Sequence, residues 1–135
     1  MRRGVSVASK VVLDASAVLA FLFREPGGER VQPMLAGATI SAVNMSEVLG
    51  RLARVGMPHK QALAAFVCLD LAVAAFGEPE AVAAAQLASR TGSAGYLSLG
   101  DRACLATALA LDLPVVTADR QWAGLKTGVE VRLIR

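Results

Sequence analysis

The chain carries eleven acidic residues, and four of them stand where chemistry could be done. Asp14 ends the apolar run Val11-Val12-Leu13, at the point where strand would become helix. Asp119 stands two residues beyond a second such run, Val115-Val116-Thr117. Glu47 and Asp101 fall in the first turn or two of predicted helices. A lone carboxylate in an apolar segment is costly unless it is paired, metal-bound or facing solvent. In open α/β sheets ligands bind in the crevice beyond the carboxyl ends of the strands, and in a parallel sheet all four acids would lie on that rim. Carboxylates gathered there without a cation would repel one another and protonate. A hard divalent cation supplies the compensation, since Mg²⁺ takes carboxylates, waters and substrate phosphates as ligands. Such a site polarises a phosphoryl oxygen, activates water and steadies a leaving oxygen, which suits phosphodiester hydrolysis.

Each acid also has an ordinary structural use. Asp14 is a good helix N-cap, and Asp119 could cap the short helix after it. Ser98 and Asp101 have the spacing of a capping box. Glu47 and Arg51 lie four apart on a polar helix face, the spacing of an exposed ion pair. Taken singly these uses are as good as a ligand role, but they leave the convergence on one rim unexplained. The other seven acids lie near turns, near helix ends or, for Glu130, on an exposed strand.

The elements that position the four acids follow from patterning. Val11–Leu13 reads as a strand buried on both faces, followed by a helix that Glu25-Pro26-Gly27 stops. Gly28–Leu35 reads as a short helix, and Ala38–Ala42 as a second strand. Val43–Val55 has helical periodicity, with Val48, Leu49, Leu52 and Val55 on one face and Asn44, Glu47, Arg51 and Arg54 on the other. A helix from Pro58 to Leu69 follows. Leu71–Phe76 is strand or helix, its alanines leaving both open. A helix runs from Glu78 to Arg90, a loop from Thr91 to Gly95, and a nearly all-apolar helix from Ser98 to Leu111. Pro114–Thr117 is a strand, Ala118–Trp122 a short turn or helix, and Val129–Leu133 alternates as an edge strand. Strand and helix alternating over the whole length imply a parallel-sheet α/β fold.

Composition narrows the class. A chain of 135 residues is the size of one domain. Hydrophobic residues make up 55% and aromatics 4%, which excludes a disordered chain and implies an aliphatic core. The formal net charge of +3 is compatible with a polyanionic partner, and arginines outnumber lysines. Cys68 and Cys104 lie in apolar helical patterns and read as buried free thiols of a reducing compartment. His59 is the single histidine, which argues against a zinc site. Lys10 and Asp14 interrupt the apolar stretch after Arg2 and Arg3, and the run ending at Arg24 is too short to span a bilayer. A cytoplasmic chain with no membrane association is expected.

Four segments carry a resemblance: Asp14-Ala15-Ser16-Ala17, Asn44-Met45-Ser46-Glu47-Val48, Leu97 to Ala106 with its Ser-Leu-Gly-Asp, and Val116-Thr117-Ala118-Asp119-Arg120. In order and spacing they resemble the four motifs of PIN domains, and in particular the VapC toxins of bacterial toxin–antitoxin pairs. The likeness covers nearly the whole chain. It implies a single PIN-like α/β/α domain over residues 1–135, with residues 1–9 a loose extension, on a mainly parallel sheet of four or five strands. It further implies a Mg²⁺- or Mn²⁺-dependent endoribonuclease, dimeric, inhibited by a small VapB-like antitoxin. By motif match Asp14 and Asp101 would be metal ligands, with Glu47 and Asp119 completing a catalytic acidic pocket. Ser16, Asn44 and Thr117 would support it. The alternative is a PIN-like module that binds RNA or protein without catalysis. A haloacid-dehalogenase-like phosphatase would need a second Asp where Ser16 stands. A phospho-receiver module would need an acidic pair before its first helix and a Lys after a late strand, and Lys126 follows the wrong segment.

Overall fold

The computed structural model describes residues 10–89 and 96–135. At its centre is β1 (Val12–Leu13), both of whose residues are fully buried. Around it lie β2 (Thr39–Ser41), β3 (Ala72–Ala74), β4 (Val115–Thr117) and β5 (Val131–Leu133), in the order β3-β2-β1-β4-β5 with every pair parallel. The expected α/β architecture is therefore present, with five strands.

The helices divide between the two faces, as the alternation of side chains along a strand requires. Leu13 and Val116 point to the face covered by α1 (Ala15–Leu22), α2 (Gly28–Val31), α3 (Ala42–Arg54) and α4 (His59–Val67). Val12 and Val115 point to the other face, under α5 (Glu78–Gln86), α6 (Leu99–Leu111) and Trp122. The first crossovers build the sheet outward from β1 to β3, and the crossover through α5 and α6 returns to the opposite side of β1. With right-handed connections that reversal must move the helices to the other face. It also makes the gap between β1 and β4 the topological switch point, where open sheets bind ligands.

Several boundaries shift for identifiable reasons. The helix expected from Gly28 to Leu35 is α2 followed by a 3₁₀ turn at Gln32–Met34, because Pro33 interrupts α-helical hydrogen bonding. The second strand ends at Ser41, whose hydroxyl accepts from the Val43 N–H at 3.2 Å and caps α3. The ambiguous alanine-rich stretch is β3, an edge strand with Val73 exposed. The helix from Glu78 turns 3₁₀ over Leu87–Ser89, and the loop expected at Thr91–Gly95 lies outside the described residues, as does the extension at 1–9. Val55 does not share the buried face of α3: it follows the helix end and is exposed. Cys68 is likewise exposed, correcting its reading as a buried thiol, because it falls just past the end of α4; Cys104, within α6, is buried. No helix among the described residues is long and apolar enough to cross a membrane.

Candidate active site

Asp14 follows β1 immediately. It holds the N-cap position of α1, yet its side chain makes no capping bond. Instead Asp14 Oδ2 accepts hydrogen bonds from Ser16 Oγ at 2.6 Å and from Thr117 Oγ1 at 2.9 Å. The backbone brings Thr117 there: the Asp14 N–H donates to the Val116 carbonyl at 2.9 Å, continuing the β1–β4 ladder. Ser16 Oγ in turn accepts from the Ala118 N–H at 2.9 Å, and Thr117 Oγ1 accepts from the Asp119 N–H at 3.1 Å. The loop after β4 is thereby tied to the start of α1.

Glu47 and Asp101 reach the same place from two helix starts. The Asn44 amide, fully buried, donates to Glu47 Oε1 at 2.7 Å and to the Gly100 carbonyl at 3.0 Å. One side chain thus fixes Glu47 and joins α3 to α6. Its Oδ1 is buried without a protein partner. Asp101 and Ser98 form the capping box expected of them, each accepting from the other's N–H at 3.1 Å. Asp119 Oδ1 accepts from the Gln121 N–H at 3.0 Å and caps the 3₁₀ turn at Arg120–Gly124. The structural uses of Asp101 and Asp119 are therefore real. They occupy one oxygen of each carboxylate and leave the side chains at the rim.

All four acids line a single cleft of about 510 Å³, together with Ser16, Gly50, Arg51 and Arg54. Burial dominates the electrostatics. It pushes the Asp14 carboxyl up from 3.8 to about 6, against the Ser16 and Thr117 hydrogen bonds, and the charges of Asp101 and Glu47 push it the same way. The Asp101 carboxyl is also raised, first by burial, with Asp119 contributing. The ion pair suggested by the Glu47–Arg51 spacing does not form: the described residues hold two ion pairs, Arg132 with Glu130 and Arg135 with Glu25. A larger hollow of about 620 Å³, lined by Phe21, Arg24 and Gln32 among others, contains none of the four acids.

The sequence reading missed Gly100 as an individual. A Cβ there would run into the Glu47 carboxylate. Only glycine lets Glu47 lie over the first turn of α6, and its place beside Asp101 in Ser98-Leu99-Gly100-Asp101 was the available signal.

Comparison with known proteins identifies the family and the fold. The model of the PIN domain family matches residues 11–127. No curated protein matches the chain significantly. Among solved structures it is similar to a toxin–antitoxin complex from Klebsiella pneumoniae, at 17% identity and TM-score 0.72, covering 93% of this chain and 98% of that one. It is also similar to DNA-bound VapBC from Salmonella typhimurium, at 18% identity and TM-score 0.69, covering 94% and 99%. A third likeness is to FitAcB from Neisseria gonorrhoeae, at 23% identity and TM-score 0.65, covering 92% and 97%. The family model spans the strands and helices that build the cleft, from the strand before Asp14 to beyond Asp119, and the chain belongs to the PIN domain family.

Proposed function

We propose that this chain is a Mg²⁺- or Mn²⁺-dependent endoribonuclease, the toxin of a VapBC-type pair, acting in the cytoplasm. The observation that carries the reading is the convergence of Asp14, Glu47, Asp101 and Asp119 on one cleft at the sheet's switch point. The set offers only oxygen donors, the preference of hard divalent cations. Among the described residues the acids do not stand as a closed cluster of three metal ligands. Each is held by a protein donor, and like charges without a cation keep apart. The raised Asp14 carboxyl fits a site whose charge a hydrated cation would complete.

In this reading Asp14 and Asp101 hold the cation, with Glu47 and Asp119 completing the pocket directly or through water. When bound, Mg²⁺ or Mn²⁺ would polarise the phosphoryl oxygen and lower the pKa of a water. Ser16 and Thr117 both hold Asp14 Oδ2, leaving the other oxygen for a cation. Asn44 does the same for Glu47. Asp119, half-buried in the same cleft, would orient the attacking water.

The toxin–antitoxin neighbours support a VapB-like partner. A basic tail laid among the acids would pair with them through charge-assisted hydrogen bonds and block the site. A homodimer is part of the same proposal, testable by sedimentation. The deciding experiment is cleavage of candidate RNAs with Mg²⁺, with EDTA and by the Asp14→Asn protein. Cleavage should need both metal and Asp14; undiminished cleavage in EDTA would sink the reading. Expression alone should slow growth, and co-expression of the partner gene should relieve it.

A further inference from the structure

Arg51 and Arg54 line the cleft with the four carboxylates, yet neither pairs with any of them. On α3, Glu47, Gly50, Arg51 and Arg54 fall at i, i+3, i+4 and i+7, which puts them on one face. That face runs from a carboxylate to two guanidiniums over roughly 10 Å of helix. Simple neutralisation of the acids does not explain the arginines. The ion pairs among the described residues are Arg132 with Glu130 and Arg135 with Glu25, and Glu47 takes the Asn44 amide instead. The Arg51 guanidinium lies 5.7 Å from the centre of the Phe23 ring. Stacking of that kind steadies an arginine without consuming its N–H donors. Both arginines are exposed and line the cleft.

Gly50 supplies a second, independent observation. Glycine inside a helix weakens it and calls for a reason. Here no packing reason exists, because a Cβ at Gly50 would meet nothing within 4 Å. The space it leaves lies in the cleft, between Glu47 and the two arginines along the helix. Asp14, only 6% exposed, lies at the floor of a cleft with the volume of a small-molecule pocket. The broad face of a duplex does not enter such a cleft, whereas a single strand can turn one phosphate inward.

We propose that Arg51 and Arg54 grip the backbone phosphate next to the one that is cut, in a single-stranded polynucleotide whose chain passes over Gly50. The inference deepens the nuclease reading and rests on it for the course of the strand across the acids. Arg51 and Arg54 are positioning residues: they hold the strand and take no part in the proton transfers.

The test uses the full chain in an Asp14→Asn background and a short, fluorescein-labelled single-stranded RNA of mixed sequence, with binding followed by anisotropy over a salt series. Arg51→Gln and Arg54→Gln should each weaken binding and reduce the slope of log K against log salt by about 0.7. Arg132→Gln, which breaks an ion pair on β5, should leave the slope unchanged. Gly50→Leu, with a good helix former, should weaken binding without lowering the melting temperature. Slopes of the Arg51 and Arg54 variants equal to the parent's would overturn the proposal. So would unchanged RNA binding with lost binding of labelled polyglutamate, which would give the face to an acidic polypeptide. Arg-dependent RNA binding, with no cleavage in Mg²⁺ by the protein that keeps Asp14, would defeat the nuclease reading alone. Asp14-dependent cleavage with normal RNA binding by both arginine variants would defeat this inference alone.

Discussion

Thr117 Oγ1 donates a 2.9 Å hydrogen bond to Asp14 Oδ2 across 103 positions of sequence. The bond joins the ends of β1 and β4, neighbours whose register pairs Leu13 with Val116. A hydrogen bond to the ionised form of a carboxyl lowers its pKa, so Thr117 opposes the burial that raises Asp14. Thr117→Val keeps the shape and removes the donor. The Asp14 carboxyl should then titrate above its parental value of about 6, and Mg²⁺ should bind more weakly at neutral pH because a proton competes with it. Carboxyl-carbon NMR titration reads the first effect and calorimetry the second. An unchanged Asp14 titration would remove Thr117 from the site.

The raised carboxyl also sets the pH dependence of stability in the metal-free protein. Asp14 has a folded pKa of about 6 against an ordinary value of 3.8, so the folded chain binds more protons between those values. Its contribution is fully present below about 3.8 and is lost as pH rises through about 6. A rise of that size corresponds to on the order of 3 kcal/mol. Asp101 is raised and acts in the same direction. Urea melts in EDTA should therefore show Asp14→Asn more stable than the parent at pH 7, with the difference closing as pH falls toward 4. A parent that gains stability steadily from pH 4 to pH 7, relative to Asp14→Asn, would contradict the buried-charge account.

The parallel α/β class and the placing of four acids on one rim were legible because both depend on local signals. Apolar runs such as Val115-Val116 mark buried strands, and an acid at the end of a buried strand is conspicuous. The pairing of the acids with their holders was not legible. Asn44 and Gly100 lie 56 positions apart, and only the folded chain shows that one amide serves both Glu47 and the Gly100 carbonyl. The spacing of Glu47 and Arg51 suggested an ion pair, but a nearer donor, Asn44, takes the carboxylate. Cys68 misled for a related reason: periodicity extends past the point where a helix ends, and burial does not.

Gly100 offers a sharper test of the site than any acid, because it carries no functional group. A Cβ there would run into the Glu47 carboxylate, so Gly100→Ala should displace Glu47 or part α3 from α6. The carboxylate is the far end of a flexible, exposed side chain, so its displacement costs little stability, but a displacement of about 1 Å can cost on the order of a hundredfold in rate. RNA cleavage should fall by that order while the circular-dichroism spectrum stays native. Gly50→Ala, with open space at its Cβ, is the matched control for adding a methyl to a helical glycine and should not destabilise. Full activity in Gly100→Ala would mean that the position of Glu47 does not matter.

Metal addition separates a cation site from a set of helix caps. If the acids bind Mg²⁺, the ion stabilises the folded chain alone. At a hundred times its dissociation constant a ligand adds about 2.7 kcal/mol, which for a domain of this length should raise the melting temperature by about 5 °C. Asp14→Asn removes a ligand and the buried charge together, so it should melt no lower than the parent in EDTA and respond little to Mg²⁺. If instead the side chains of Asp101 and Asp119 serve only their observed caps, replacing either should cost about 1 kcal/mol with or without the ion. Mg²⁺ would then act no differently from an inert salt of equal ionic strength. Asp101→Asn makes the comparison direct. Its amide oxygen can still accept from the Ser98 N–H, so the capping box survives in part while the charge is gone. A lost Mg²⁺ response with a nearly unchanged melting temperature in EDTA identifies the carboxylate as a ligand. An unchanged Mg²⁺ response in both Asp14→Asn and Asp101→Asn would refute the cation site.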